Sequence, residues 1–196
     1  SDLLRKSRQT IANSINADPD EIFFTASGSE SDNLCIKGYA EAHRHLGTHI
    51  ITTAIEHPAV LESCKHLEAN GFSVTYLPVN TEGFINLEDL KQAITNKTIL
   101  VSIIHANNEI GTIQDINAIV NICNMHGIPV HTDAVQSYLK VSIDVKALGI
   151  TMASFAGHKI HAPKGAAFAY IKKGVTIESQ INGGSQESGT RAGTEN

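Results

Sequence analysis

Short apolar runs alternate with amphipathic segments along almost the whole chain, and that alternation leaves few folds open. Leu3, Leu4, Ile11 and Ile15 lie at helical spacing in an opening segment, and Glu21 to Thr25 reads as a short buried strand. His49 to Thr53 is a strand, Val60 to Asn70 a helix with Gly71 as its C-cap, and Phe72 to Pro78 the next strand. Asn86 caps a helix through Leu90 to Ile94, Thr98 to Ile104 is strand-like, and Ile116 to Met125 is a helix closed by Gly127. Strands follow at Ile128 to His131, Thr151 to Phe155 and Ala166 to Lys172. Strands separated by helices at this spacing are βαβ units. The expected fold is α/β, a three-layer α/β/α arrangement whose mostly parallel central sheet is covered by helices on both faces.

A chain of 196 residues with 41% apolar content can bury one sizeable core, so one domain over 1–196 is expected. Net charge is −5, from 15 basic and 20 acidic residues, with no basic run or basic-aromatic interleaving to ask for nucleic acid. Nor is there an apolar segment long enough to span a bilayer. Cys35, Cys64 and Cys123 are widely spaced and odd in number, which fits a reduced, cytoplasmic compartment better than a disulfide framework. The first residue is not Met and the last eight, Gly189 to Asn196, are turn-rich, so the chain reads as an excised part of a longer one.

In parallel sheets, ligands bind beyond the strand C-termini. The residues that follow the strands here are Ser27 to Ser29, Glu56 and His57, His105 to Glu109, Asp133 and Gln136, and His158 and Lys159. After the first strand, Ala26-Ser27-Gly28-Ser29-Glu30-Ser31-Asp32-Asn33 leads into a helix through Leu34, Ile36 and Tyr39. Ser29 and Asp32 have capping-box spacing there, and the helix start points backbone N–H groups at an anion. The run from Thr151 to Phe155 delivers Gly157, His158 and Lys159 into a turn stiffened by Pro163 and Gly165. A lysine held at the end of a buried strand is expected to be partly desolvated, which frees its amine for Schiff-base formation.

Each of these signals has a plain structural alternative. Helix capping explains Ser29 and Asp133, turn geometry explains Asn107 and Asn108, and a surface loop explains Lys159. Zinc held by His57, His131 and His158 has no supporting spacing, so no metal is expected. Taken together, the rim residues suit a phosphorylated, aromatic, carbonyl-bearing cofactor.

Several segments carry a closer resemblance. They are Thr25 to Asn33, Glu56-His57 through Cys64, Asn107-Asn108-Glu109-Ile110-Gly111 and His131-Thr132-Asp133-Ala134-Val135-Gln136, followed by Gly157-His158-Lys159 and Arg191-Ala192-Gly193-Thr194. In this order they resemble the cysteine desulfurases of the class V aminotransferase group, fold-type I pyridoxal-phosphate enzymes, in the branch associated with iron-sulfur cluster assembly. The resemblance implies that the chain is the large domain of such an enzyme, with pyridoxal 5′-phosphate as cofactor. Lys159 would hold it and shuttle the α-proton, Asp133 would face the pyridine nitrogen, and Gln136 with Asn108 would bond the ring hydroxyl oxygen. His57 would lie against the ring as an acid/base candidate, and the phosphate would sit on Gly28 and Ser29 with His158 as a further donor. Thr194 would reach the cofactor phosphate of a partner subunit, implying a homodimer.

L-Cysteine is the implied substrate, and an iron-sulfur scaffold the implied sulfur acceptor. Two departures accompany the resemblance. Ala156 stands where relatives often carry a phosphate-binding serine, and the nucleophilic cysteine and substrate-binding arginine of the family would lie beyond Asn196. Cys64 and Cys123 fall at core spacing with Val60, Leu61, Leu67, Ile119 and Val120, and Cys35 sits between Leu34 and Ile36. None of the three is expected to replace that nucleophile. A selenocysteine lyase or another class V relative would share these residues, and a non-catalytic binding or dimerisation module without cofactor is the reading from a different class.

Overall fold

The strands of the sheet are β1 (Ile22–Thr25), β2 (His49–Thr53), β3 (Ser73–Leu77), β4 (Thr98–Ser102), β5 (Val130–Asp133), β6 (Met152–Ala156) and β7 (Ala167–Ile171). The helices are α1 (Asp2–Ser14), α2 (Gly28–Asn33), α3 (Tyr39–Ala42), α4 (Pro58–Ala69), α5 (Leu87–Ala93), α6 (Ile116–Asn124) and α7 (Val145–Leu148), with a π-helical turn, Leu34–Gly38, joining α2 to α3. This computed structural model describes residues 2–194; Ser1, Glu195 and Asn196, the ends of the expected domain, lie outside them.

Why this chain makes three layers follows from its strands. Every residue of β2, β4, β5, β6 and β7 is buried, and successive side chains on a strand point to opposite faces. Ile50 and Leu100 therefore join one apolar cluster with Leu34, Ile36, Tyr39, Val60 and Leu67 from the π turn, α3 and α4. Ile51 and Val101 join the other, with Ala12 of α1, Leu90 of α5, Ile119 and Val120 of α6 and Val145 of α7. Both faces need a helical cover, and both receive one.

Strand order is β1-β7-β6-β5-β4-β2-β3. The neighbours from β3 to β6 are parallel, whereas β7 pairs antiparallel with both β6 and β1. The mostly parallel sheet expected from the sequence is therefore present, with β7 as the reversed strand. Strand β5 continues to Asp133 rather than ending at His131, and Asp133 lies in register with Ser154 of β6. Its carbonyl also accepts the His105 N–H at 2.9 Å. Asp133 is thus held on both sides by backbone, which a position in a free loop would not provide.

The helix start is capped by Ser27 rather than by the capping box expected at Ser29 and Asp32. Ser27 is extended, its side chain accepts the Glu30 N–H at 3.1 Å, and Glu30 in turn accepts the Ala26 N–H at 2.8 Å. The longer Glu30 side chain reaches past the cap to Ala26, so this frame satisfies two backbone donors, those of Glu30 and Ala26. Asn86 caps α5 as expected, accepting the Glu88 N–H, and Gly71 follows α4 at φ +89.

An aromatic group locks β6 and β7 to the turn after β5. Phe155 stacks on Phe168 at 4.4 Å between ring centroids, and Tyr138 meets both rings edge-on. Phe155 is fully buried. Its replacement in Phe155→Ala is expected to cost about 3–5 kcal/mol of folding stability, read as a lower urea midpoint with an unchanged slope. A loss under about 1 kcal/mol would show that this cluster does not support the sheet.

Candidate active site

The C-terminal ends of five strands open onto a cavity of about 190 Å³. After β1 it is lined by Ser27, Gly28 and Ser29, and after β2 by His57. The segment after β4 contributes Ile104 and Asn108, β5 and its turn contribute Asp133, Val135 and Gln136, and β6 and its turn contribute Ala156, His158 and Lys159. Asp32, one turn into the first helix after the cradle, also lines it.

Local chemistry fixes each of these groups. Gly28 starts α2 where an added Cβ would meet Val135 Cγ2 at 2.7 Å, so only glycine lets the helix start approach the β5 turn. The first N–H groups of that helix have no helical acceptor. His57 caps α4: its Nδ1 accepts the Ala59 N–H at 3.1 Å, which places the proton of the neutral ring on Nε2. Asn107 accepts the Glu109 and Ile110 N–H groups and donates to the Ile55 carbonyl, and so holds Asn108 on the rim. Gly157 donates to the Ala166 carbonyl at 2.8 Å, and an added Cβ would lie 2.8 Å from that same oxygen. A single 3₁₀ turn, Gly157–Ile160, then carries His158 and Lys159 over the cavity.

Beneath this rim the electrostatics are unusual. Asp32, Glu56 and Asp133 are all buried, yet no lysine or arginine among the described residues is buried with them. Burial pushes all three carboxyls above the usual carboxylate range, Glu56 to about 8. For Asp133 the Val135 N–H, at 3.0 Å from Oδ1, and His57 act in the opposite sense. Glu56 Oε1 accepts from Thr53 Oγ1 at 2.8 Å and from the Ile104 N–H at 2.9 Å, tying the end of β2 to the end of β4. Oxygens of Asp32 and Asp133 and a ring nitrogen of His57 lie within 4.8 Å of one another.

All the expected site residues except Thr194 meet around this cavity. Thr194 lines a separate cleft of about 380 Å³ with Leu4, Phe24, Glu187 and Arg191. Lys159 departs from the burial expected of it: it is exposed, because the 3₁₀ turn lifts it off the end of β6. His131 does not join His57 and His158, since it is fully buried between Ser102 and Ser154. Asp32 was read only as a helix cap, although Asp32, Cys35, Ile36 and Tyr39 fall on the i, i+3, i+4, i+7 stripe that faces the sheet. That stripe is the signal that it is buried. All three cysteines are buried in the apolar clusters, and burial raises their thiols, those of Cys64 and Cys123 to about 12.

Comparison with known proteins decides the family. The Aminotransferase class-V family description matches residues 1–193. A cysteine desulfurase, IscS, of Clostridium botulinum strain Hall is 53% identical over 189 residues, which is 96% of this chain and 48% of that protein. Among solved structures, a NifS-like protein superposes with a TM-score of 0.95 at 44% identity, covering 98% of this chain and 54% of that one. SspA in complex with cysteine gives the same TM-score at 43% identity, covering 98% and 56%.

The chain belongs to the class V aminotransferases.

It spans about half the length of the curated relatives it matches. Members of this family depend on pyridoxal phosphate, and the donor set of the cavity fits that molecule. Backbone N–H groups, a serine, a histidine and a lysine stand on the rim to meet an anion and a carbonyl. On the floor, Asp133 is buried with no buried lysine or arginine among the described residues, a setting that a protonated ring nitrogen would complement. No helix among the described residues is long and apolar enough to cross a membrane.

The buried Glu56 makes a prediction about pH. Unfolded, its carboxyl ionises near 4.5; folded, it holds its proton to about 8. Between these values the folded state binds the extra proton, so stability falls as pH rises, by up to about 1.4 kcal/mol per pH unit. Glu56→Gln lacks this titration. Its urea midpoint is expected to gain on the wild type between about pH 5 and about pH 8, and parallel profiles would remove Glu56 from the account.

Proposed function

We propose that this chain is the cofactor-binding large domain of a cysteine desulfurase, which converts L-cysteine to L-alanine and hands the sulfur on as an enzyme persulfide. The observation that supports this reading best is the meeting of Lys159, His57, Asp133 and the Gly28–Ser29 helix start around one cavity, within a class V aminotransferase fold. Pyridoxal phosphate, when bound, supplies an electron sink for negative charge that develops at the α-carbon of an amino acid.

The chain's own residues have separate tasks. Lys159 holds the cofactor and then accepts the proton from the substrate α-carbon, and its exposure on a short turn gives the amine room to swing between the two roles. Asp133, fixed by two neighbouring strands, keeps its negative charge opposite the ring nitrogen. Gln136 and Asn108 bond the ring oxygen. His57 presents Nε2–H toward the cavity from a cap that cannot rotate without losing the Ala59 hydrogen bond. Gly28, Ser29 and His158 take the phosphate, without the hydroxyl that Ala156 lacks.

Sulfur transfer needs one more group, a thiolate that attacks the substrate sulfur. The carbon–sulfur bond then breaks, the substrate carbon takes a proton, and a persulfide remains on the enzyme. Cys35, Cys64 and Cys123 are unsuited to this step, being buried with thiols held in the protonated form. The parent protein would bring that thiol and a carboxylate-binding arginine from other residues. Within the same reading it forms a homodimer in which Thr194 serves the neighbouring site, works in the cytoplasm, and passes sulfur to an iron-sulfur scaffold.

The purified chain with added pyridoxal phosphate is expected to develop a visible absorbance band that borohydride fixes onto the peptide containing Lys159. Lys159→Ala should lose both. Given L-cysteine and a reductant, the same preparation should release no sulfide in repeated turnovers. A missing band in cofactor-saturated wild type would favour a binding module instead, and sustained sulfide release would show that this chain carries its own nucleophile.

A further inference from the structure

Asp32 has no part in the roles set out above, and its surroundings are hard to explain as packing alone. It is 1% exposed, and its Oδ1 has no hydrogen-bond partner. The nearest basic group is His131, whose Nε2 lies 3.7 Å away, beyond hydrogen-bonding reach. Burial holds His131 neutral, with its pKa down to about 3, so it brings no compensating charge.

A chain of hydrogen bonds gives the arrangement a direction. Ser102 Oγ is 2.8 Å from His131 Nδ1, and His131 Nε2 is 2.9 Å from Ser154 Oγ. Ser154 is the one neighbour that draws the Asp32 carboxyl down, against burial and the nearby acids. The chain leads to Ser154, beside Asp32, and leaves Asp32 Oδ1 without a partner. The other titratable neighbours are His57, with a ring nitrogen within 4.8 Å, and three acids: Asp133 at the end of β5, Glu56 after β2, and the Cys35 thiol one turn along the same helix.

Two buried carboxyls with oxygens within 4.8 Å of each other do not readily both ionise. Asp133 has the better claim to the charge, because it receives the Val135 N–H at 3.0 Å and lies beside His57. We propose that Asp32 is a positioning residue that carries the proton of this carboxyl pair, leaving Asp133 as the one ionised group aimed at the ring nitrogen. The pair then presents a single negative charge, the complement of a single cationic N–H. A neutral acid behind Asp133 supports it without competing for that cation. The role rests on the proposed cofactor site, whereas the protonation of Asp32 does not.

The test begins without cofactor. Near neutral pH, infrared spectra of the chain carrying isotope-labelled aspartate should contain an isotope-shifted carbonyl stretch of a protonated carboxylic acid. Glu56, unlabelled, cannot contribute to it. The band should vanish in Asp32→Asn and persist in Asp133→Asn, a signature that a purely structural role would not produce. Pyridoxal phosphate affinity, measured by titration of the visible band, should then fall about tenfold or more in Asp133→Asn and by clearly less in Asp32→Asn. Absence of the shifted band in the labelled wild type, which needs no variant to fold, would overturn the proposal. So would its survival in Asp32→Asn, or an equal loss of cofactor affinity in the two variants. If the wild type binds no cofactor at all, the cofactor reading fails, while the infrared result still decides where the proton sits.

Discussion

A parallel sheet covered on both faces has one edge at which every parallel strand stops, and the rest of this structure follows from that constraint. Backbone groups in the strand interiors are satisfied by their neighbours, but at the C-terminal edge the chain must turn, and the turns carry polar residues. Strands β4, β5 and β6 end side by side there, and the helix start after β1 arrives through the β7 pairing. A change that moved β5 by one residue would turn Asp133 to the opposite face and place its neighbour in the cavity.

The same edge explains the cost built into the site. Carboxyls at strand ends lie close to the core, and this protein keeps three of them buried without a buried lysine or arginine among the described residues. Glu56 and Asp133 receive backbone N–H groups, while Asp32 Oδ1 has no hydrogen-bond partner. Such an arrangement works against stability and suits a site that waits for a cation. Lys159, by contrast, stands exposed on one 3₁₀ turn of the rim.

Much of this was legible in the residues. Apolar runs at βαβ spacing gave all seven strands and most of the helices between them, though not the short α7, because burial on two faces demands that pattern. Asn86 and Gly71 announced helix ends through their own chemistry. Other features were not legible for equally physical reasons. Ser27 and Ser29 offer the same cap, and only the reach of Glu30 back to Ala26 selects between them. The exposure of Lys159 depends on how far the turn lifts it, which local sequence does not encode.

By itself, then, the sequence determined the class of fold, the ends of most elements and which residues follow the strands, since periodicity and turn chemistry act over a few neighbouring positions. Tertiary structure alone decided that β7 runs against its neighbours, that Thr194 opens on a different cleft from the other rim residues, and that Asp32 lies behind Asp133. These depend on contacts between segments far apart in the chain. Burial of a carboxyl next to another is a property of the assembled core, and no local pattern assigns the proton between them.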